Sequence, residues 1–160
     1  MRKPSEFQVF VSITCAYAAF LFYLSSLSSP PGLPDLRFLY EFGYSLRDLG
    51  LGFLVYPFYL AYRHPDKFAH FALYTVLGML LHPTLSSSKN VAVNKYAAPF
   101  SILIGTLYGI TDEFHQTFVP HRSASLMDLC ADFLGLLFAQ FLILLYFGIK
   151  RLIRSKEVRG

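Results

Sequence analysis

The chain has 160 residues, of which 54% are hydrophobic and only 15% are charged, and this composition excludes an ordinary soluble domain. Its net charge of +4 comes largely from a basic C-terminal tail, and it has no glycine-rich phosphate loop or RNA-binding motif. We therefore predict an all-α polytopic membrane protein, a single domain over residues 1–160, that contacts anionic lipid and no nucleic acid.

Four apolar runs predict four transmembrane helices, at about residues 7–24, 66–82, 96–119 and 126–149. At a rise of about 1.5 Å per residue, each can cross or nearly cross a hydrocarbon core of about 30 Å. The first run could instead be a secretory signal peptide, since Arg2 and Lys3 precede it. It is long for that role, and no clear Ala-x-Ala cleavage site follows, so we expect a retained helix.

The long connection between the first two helices has two parts. Residues 25–34 are rich in Ser and Pro and are expected to be irregular. In the segment at residues 46–62, the stretch 49–62 is apolar and aromatic, but it contains Pro57 and, at 14 residues, is short for a fifth span. This pattern favours a re-entrant or interfacial segment. The alternative, a short true span, would invert the topology of the later helices.

The distribution of lysine and arginine predicts that both termini are cytoplasmic. With four spans, the termini and the 86–95 loop share one side and carry nine of these residues, against five on the opposite side. The ends of the second and third helices that carry the acidic residues then lie near the outer leaflet.

Ionisable residues are grouped at those outer helix ends. Because lipid strongly disfavours such groups, they predict a functional site. Three helical stripes carry them: Asp66, His70 and Tyr74; Asp112 and Gln116, with Glu113 beside them; and Asp128, Asp132 and Gly135. We expect these stripes, which lie at one depth, to face one another around a single pocket, and Gly135 to permit close helix approach.

Carboxylates outnumber cations in this predicted pocket. Five acids face Lys67 and Arg122, which leaves a charge of −3 when all are ionised and the histidines are neutral. Such a cluster is costly in a low dielectric unless protons, water or a metal ion relieve it. A divalent cation is one remedy, and one protonated acid, suited to acid–base chemistry, is another. The candidate metal ligands are Asp112, Glu113, Asp128, Asp132 and His70.

The spacing of several motifs is similar to that of a known family. The matching runs are Ser25-Ser26, Asp66-Lys67-Phe68-Ala69-His70-Phe71 with Tyr74, Asp112-Glu113-Phe114-His115-Gln116, Val119-Pro120-His121-Arg122-Ser123-Ala124-Ser125 and Asp128-Leu129-Cys130-Ala131-Asp132-Phe133-Leu134-Gly135. Together they resemble the VanZ-like family of small bacterial membrane proteins. The family usually has Gly in place of His121 and Asn in place of Asp132, and its core lacks the 30–62 insertion. The resemblance implies a multi-pass protein of the bacterial cytoplasmic membrane, with a link to teicoplanin resistance.

From these features we expect a pocket that binds the anionic head group of a membrane lipid or a lipid-linked cell-envelope precursor. The predicted substrate-binding residues are Asp66, Lys67, Gln116, Arg122, Ser123 and Asp128, and the predicted catalytic residues are Asp112, Glu113 and His70. The reaction would be hydrolysis or transfer at a phosphate or acyl linkage, with or without a divalent metal ion.

Three alternatives stay open. One is a non-catalytic envelope protein that binds lipid or a teicoplanin-type lipoglycopeptide. Another treats the polar residues as contacts between helices, within an oligomer. In the third, Asp66 only caps a helix and Arg122 only anchors its loop to phospholipid. No triad spacing surrounds Ser123 or Ser125, so a nucleophile is not predicted.

Overall fold

The computed structural model describes residues 5–29 and 35–157, and these residues form helices and connecting turns without a strand. The helices are α1 (Glu6–Ser25), α2 (Arg37–Ser45), a 3-10 turn (Gly52–Leu54), α3 (Val55–Arg63), α4 (Pro65–Ser86), α5 (Val91–Lys95), α6 (Ala97–Gln116) and α7 (Leu126–Glu157). The predicted all-α class is confirmed. Residues 30–34, expected to be irregular, and Arg2, Lys3 and Arg159, used for the sidedness, lie outside the described residues.

Within the described ranges, three helices are long and apolar enough to cross a membrane, namely α1, α4 and α7. The third predicted span corresponds to α6, which has 20 residues but is not among these three. Its last turns carry Asp112, Glu113 and Gln116, which lower its mean hydropathy. Three spans are therefore supported by length and composition, and a fourth stays a prediction.

Local sequence sets the helix ends that surround the polar residues. Pro65 is the first residue of α4, where its missing N–H costs no helical hydrogen bond, and Asp66 follows in the first turn. At the start of α7, the Ser125 hydroxyl accepts a hydrogen bond from the Asp128 backbone N–H at 3.2 Å. Ser125 thus acts as the N-cap of α7, a position that favours serine.

Helix α4 lies at the centre of the bundle and packs against α7, α6 and α1. Its closest approach to α7 depends on small residues. A Cβ at Gly78 would lie 2.7 Å from that of Ala139, and a Cβ at Gly135 would collide with the backbone oxygen of Phe71. The predicted role of Gly135 in close helix approach is confirmed. Leu136, which is fully buried, fills the space between α4 and α6.

The predicted interfacial segment at residues 46–62 is only partly helical. Its helical part is α3, which packs against α2, a helix that the sequence pattern did not predict. Gly43 of α2 lies directly against the Phe58 ring, and Tyr40 contacts the rings of Tyr59 and Tyr62. With nine residues each, neither helix can cross a hydrocarbon core of about 30 Å.

Candidate functional site

The polar ends of α4, α6 and α7 meet at one end of the bundle. His70 contacts Asp132, and twelve residues further along α4, His82 contacts Gln140 of α7, so these two helices run in the same direction. Helix α6 runs the opposite way, because Gly105 lies against Leu136 while Gly109 lies against Asp132. The last turns of α6 therefore lie beside the first turns of α4 and α7.

A histidine–carboxylate pair joins α4 to α7. His70 Nδ1 donates a hydrogen bond to Asp132 Oδ1 at 2.9 Å, and the Asp132 side chain has 0% exposure. The other oxygen, Oδ2, has no hydrogen-bond partner among the described residues. A Cβ at Gly109 would lie 3.1 Å from this oxygen, so glycine there leaves the space that the carboxylate occupies.

Glu113 on α6 lies beside this pair and is 6% exposed. Its Oε2 accepts a hydrogen bond from the backbone N–H of Ser125 at 2.6 Å, which ties the end of α6 to the start of α7. Its Oε1 is buried and unpartnered within the described part of the chain. Glu113 thus has one oxygen held by the backbone and one available to a ligand.

Lys67 forms two ion pairs at the start of α4. Its Nζ lies 2.5 Å from Asp128 Oδ1 and 2.8 Å from Asp66 Oδ2. Asp128 is 8% exposed, whereas 62% of the Asp66 side chain is exposed. Of the two acids, Asp128 is therefore the one that belongs to the buried site, and Asp66 lies at its edge.

Arg122 is linked to the acidic residues by the side-chain amide of Gln116. Its Nε and Nη2 both donate to Gln116 Oε1, at 3.2 and 2.7 Å, and Gln116 Nε2 donates to Asp112 Oδ2 at 3.3 Å. Asp112 Oδ1 is buried with no partner in the described residues. Thus Arg122 lies near the acidic residues without forming an ion pair among the residues described.

The residue before Arg122, where the resemblance leads us to expect glycine, has an unusual backbone conformation. His121 has φ of 63°, in the left-handed region that side chains other than glycine adopt at a steric cost. The backbone of this loop therefore needs the conformation that glycine accepts freely. In this chain the position instead places an imidazole at the cavity wall.

A cavity of about 1070 Å³ opens at this end of the bundle. One wall is apolar and comes mainly from α1 and α4; it includes Phe20, Leu21, Leu24, Leu36, Phe68 and Leu73. The rest of the lining is largely polar, and we call it the polar wall; it contains eight of the residues singled out from the sequence: Asp66, Lys67, His70, Asp112, Gln116, Arg122, Ser123 and Asp128. Glu113 and Asp132 are not part of the wall; hydrogen bonds connect them to Ser125 and His70, which are. We call this space the amphiphilic cavity.

Three residues near the site had no assigned role in the sequence prediction. The hydroxyl groups of Ser25 and Tyr74 are buried and without a partner in the described structure, and both residues line the amphiphilic cavity. Ser125 lines it too and holds Glu113. The helical stripe with His70 did include Tyr74. For Ser25 the only signal was its place in the family motif, because its surroundings are formed by distant residues.

Not every motif residue belongs to the site. His115 Nε2 is hydrogen-bonded to Ser26 Oγ at 3.1 Å, and its ring lies 4.5 Å from that of Phe22. This histidine therefore contacts the end of α1. The buried carboxylates of the motifs, those of Asp112, Glu113, Asp128 and Asp132, instead lie at the site, and several of their oxygens are bare among the described residues, so they can accept protons or bind a cation.

Comparison with known proteins identifies the family. The chain matches the model of the VanZ/LLP1 family over residues 10–148, which is most of its length. Neither the search of curated proteins nor that of solved structures gave a match. The matched region includes most of α1, all of α4 and α6, the site and most of α7. Together with the three span-like helices, this match shows that the chain is a membrane protein of the VanZ-like family.

Proposed function

We propose that this VanZ-like protein binds a lipid-linked molecule through its anionic head group and hydrolyses or transfers a phosphate or acyl linkage of that molecule. The observation that carries the proposal is the amphiphilic cavity, whose lining combines apolar residues with charged ones. Membrane lipids and lipid-linked envelope precursors have the matching chemistry, with an apolar chain joined to a polar head. Ligand cavities of this size, up to about 1,000 Å³, are typical of small-molecule sites.

The apolar wall would hold the lipid chain. Phe20, Leu21 and Leu24 of α1 line the cavity together with Leu73 of α4, and Leu36, which precedes α2, also lines it. Burial of a chain against such a wall contributes about 0.8 kcal/mol per methylene group. Such contacts would select a lipid-linked ligand over the free head group.

Arg122 would be the principal contact for the anion. Two of its nitrogens bind the single oxygen of Gln116, which orients the guanidinium and leaves its remaining N–H groups for a ligand. Arginine in this presentation suits bidentate binding of phosphate or carboxylate. The charge of Lys67 is already compensated by Asp66 and Asp128, so we give Lys67 the smaller share of the affinity.

The polar wall, together with Glu113 and Asp132 that are hydrogen-bonded to it, has the groups that proton transfer needs. Asp112 and Glu113 each have one bare carboxylate oxygen, and His70 is oriented by Asp132. In a hydrolysis, one of these bases would take a proton from water as its oxygen attacks the phosphorus or carbonyl carbon. Cleavage of the ester bond then leaves an alcohol oxygen that receives a proton from the site.

The topology forms part of this proposal. We place α6 as a fourth span, the cavity at the outer leaflet of the bacterial cytoplasmic membrane and both termini in the cytoplasm. Reporter fusions at each terminus test this orientation, because a reporter active only in the cytoplasm is expected to work at both ends. Activity at one end alone would require an odd number of spans.

Binding can be tested with the full chain in nanodiscs. We expect a labelled phosphatidic acid to bind, and a phosphatidylcholine with the same chains to bind at least about 10-fold more weakly, because its head group has no net negative charge. Arg122→Gln is expected to remove this preference. The matched control is Lys89→Gln, which removes a cation from an exposed residue of the opposite loop. Equal binding of both lipids by the wild type would contradict the proposal.

Turnover is measured in the same sample as release of inorganic phosphate or fatty acid. We expect one of these products from phosphatidic acid or from a lipid-linked phosphate of the envelope. Selective binding with neither product would favour the non-catalytic alternative, a protein that binds envelope lipids or lipoglycopeptides. That result would exclude the reaction for the substrates tested while the binding function stands.

A further inference from the structure

Three helices bring metal-ligating atoms together at the polar wall of the cavity. A ring nitrogen of His70 and carboxylate oxygens of Glu113 and Asp128 all lie within 4.8 Å of one another. Small side-chain rotations would place all three at about 2.0–2.2 Å from one ion, the usual distance for nitrogen and carboxylate ligands of zinc. Glu113 is 6% exposed as a residue and the Asp128 side chain is 12% exposed, so water does not fully solvate either carboxylate.

Neighbouring groups already orient two of these side chains. The hydrogen bond from His70 Nδ1 to Asp132 leaves Nε2 as the ring nitrogen available to an ion. The Ser125 N–H holds Glu113 Oε2 and leaves Oε1 bare. Metal-bound histidines in proteins almost always donate their second N–H to a carboxylate, a backbone carbonyl or water, as His70 does to Asp132.

Bare buried oxygens give an independent indication of a ligand. Glu113 Oε1, Asp112 Oδ1 and Asp132 Oδ2 are buried and unpartnered among the residues described. A buried acceptor without a partner costs about 1–3 kcal/mol, and more when it is charged. Three such atoms in one cluster indicate that the cluster accommodates a cation or ordered water.

The charge balance favours a divalent cation. Four buried carboxylates, those of Asp112, Glu113, Asp128 and Asp132, face only Lys67 and Arg122, so the cluster has a net charge of −2 with neutral His70. One divalent ion would neutralise it. A monovalent ion or water would leave buried negative charge uncompensated.

We infer that His70, Glu113 and Asp128 bind one divalent transition-metal ion, Zn²⁺ or Mn²⁺. Imidazole and carboxylate together suit these ions better than Ca²⁺ or Mg²⁺, which prefer oxygen ligands alone. Three protein ligands leave a coordination position for water or a head-group oxygen. Asp112 would remain the free proton acceptor.

Metal content of the wild type is the first test. The full chain is purified in detergent, stripped with a chelator and dialysed against micromolar Zn²⁺ or Mn²⁺ in separate arms. Elemental analysis is expected to find about one ion per chain in at least one arm. Protein that retains no ion in either arm would overturn the inference.

Variants then locate the ion. Glu113→Gln and Asp128→Asn are each expected to weaken metal affinity by more than the 10–100-fold that loss of an outer partner typically costs. Asp66→Asn is the matched control, since it removes an exposed carboxylate that also contacts Lys67. Unchanged affinity in both ligand variants, checked as monodisperse by gel filtration, would exclude this site.

Spectroscopy of the wild type keeps the inference testable when a variant does not fold. In Mn²⁺-loaded protein, pulsed electron paramagnetic resonance is expected to show coupling to an imidazole nitrogen, and its absence would contradict His70 as a ligand. These measurements use no lipid, and the lipid-binding assay can be run with chelator present. Failure of the metal site is therefore distinguishable from failure of lipid binding.

Discussion

Two histidine pairs join α4 to α7, and their chemistry differs. The His82–Gln140 pair is a hydrogen bond of 2.7 Å between an imidazole and an amide, and Gln140 Nε2 also donates to the Gly78 backbone oxygen. The His70–Asp132 pair has a similar length, but its acceptor is a buried carboxylate with a second, bare oxygen.

The difference distinguishes packing from function. An amide satisfied at both ends costs little to bury and joins two helices in lipid, where such hydrogen bonds contribute about 0.6 kcal/mol on average. A buried carboxylate beside Asp112 and Glu113 is costly and is not explained by packing. Histidine within a membrane helix is therefore not sufficient to indicate a site; the unsatisfied charge around it is the more specific signal.

The largest effect is expected from a residue between the two pairs. Gly135→Leu would drive a side chain into the Phe71 backbone, separate α4 from α7 and break both pairs. Overpacking typically costs about 1–3 kcal/mol of stability. We expect a larger cost at this position, because the added side chain would meet backbone atoms, which cannot move aside as a side chain can. Folded yield by gel filtration is expected to collapse. Gly148→Leu is the control on the same helix, since a Cβ there has no neighbour within 4 Å.

Glu113→Gln tests the charged cluster itself. The amide retains the size of the side chain and its oxygen can still accept the Ser125 N–H, but it can neither take a proton nor bind a cation well. We expect turnover to fall by about 10²–10⁴-fold, the usual contribution of a general base, while lipid binding is kept. Loss of binding in equal measure would assign Glu113 a structural role.

Asp132→Asn gives the His70 pair the neutral acceptor that the His82 pair already has. The hydrogen bond is retained, and the resemblance leads us to expect Asn at this position, so the variant is expected to fold. Loss of the charge that orients and polarises His70 should lower metal affinity, or turnover, by about 10-fold. Metal affinity and turnover of the variant are both measured and compared with those of the wild type. An increase in either would show that the extra carboxylate opposes function in this chain.

The smallest effect is expected at the other pair. His82→Leu leaves the Gln140 oxygen without its partner, and we expect a loss of about 1 kcal/mol in the free energy of unfolding, measured in detergent. Lipid binding and turnover should not change. A fall in turnover with wild-type stability would show that the two pairs are functionally coupled. It would contradict the assignment of the His82 pair to packing alone.

The sequence pattern predicted the long helices well and their ends less well. Helix α1 agrees within a residue at each end. Helix α7 continues from the predicted end at residue 149 to Glu157, because the basic residues that end the apolar run are good helix formers. Helix α4 also continues beyond its predicted end at residue 82, through Pro83 to Ser86. The α2 helix was missed because its sequence mixes polar and aromatic residues and its packing partner, α3, lies beyond a turn.

Sequence alone determined the all-α class, the membrane character and the position of the acids at the helix ends, since these depend on composition and on periodicity along one helix. The structure brings most of the predicted site residues to one cavity; their roles stay predictions. Tertiary structure alone decided which acids are buried and bare. Asp66 and Glu113 look alike in sequence, yet one is exposed at the edge and the other is held by Ser125 with a free oxygen. Burial and hydrogen bonding of each carboxylate depend on partners from other helices, and local sequence does not specify them.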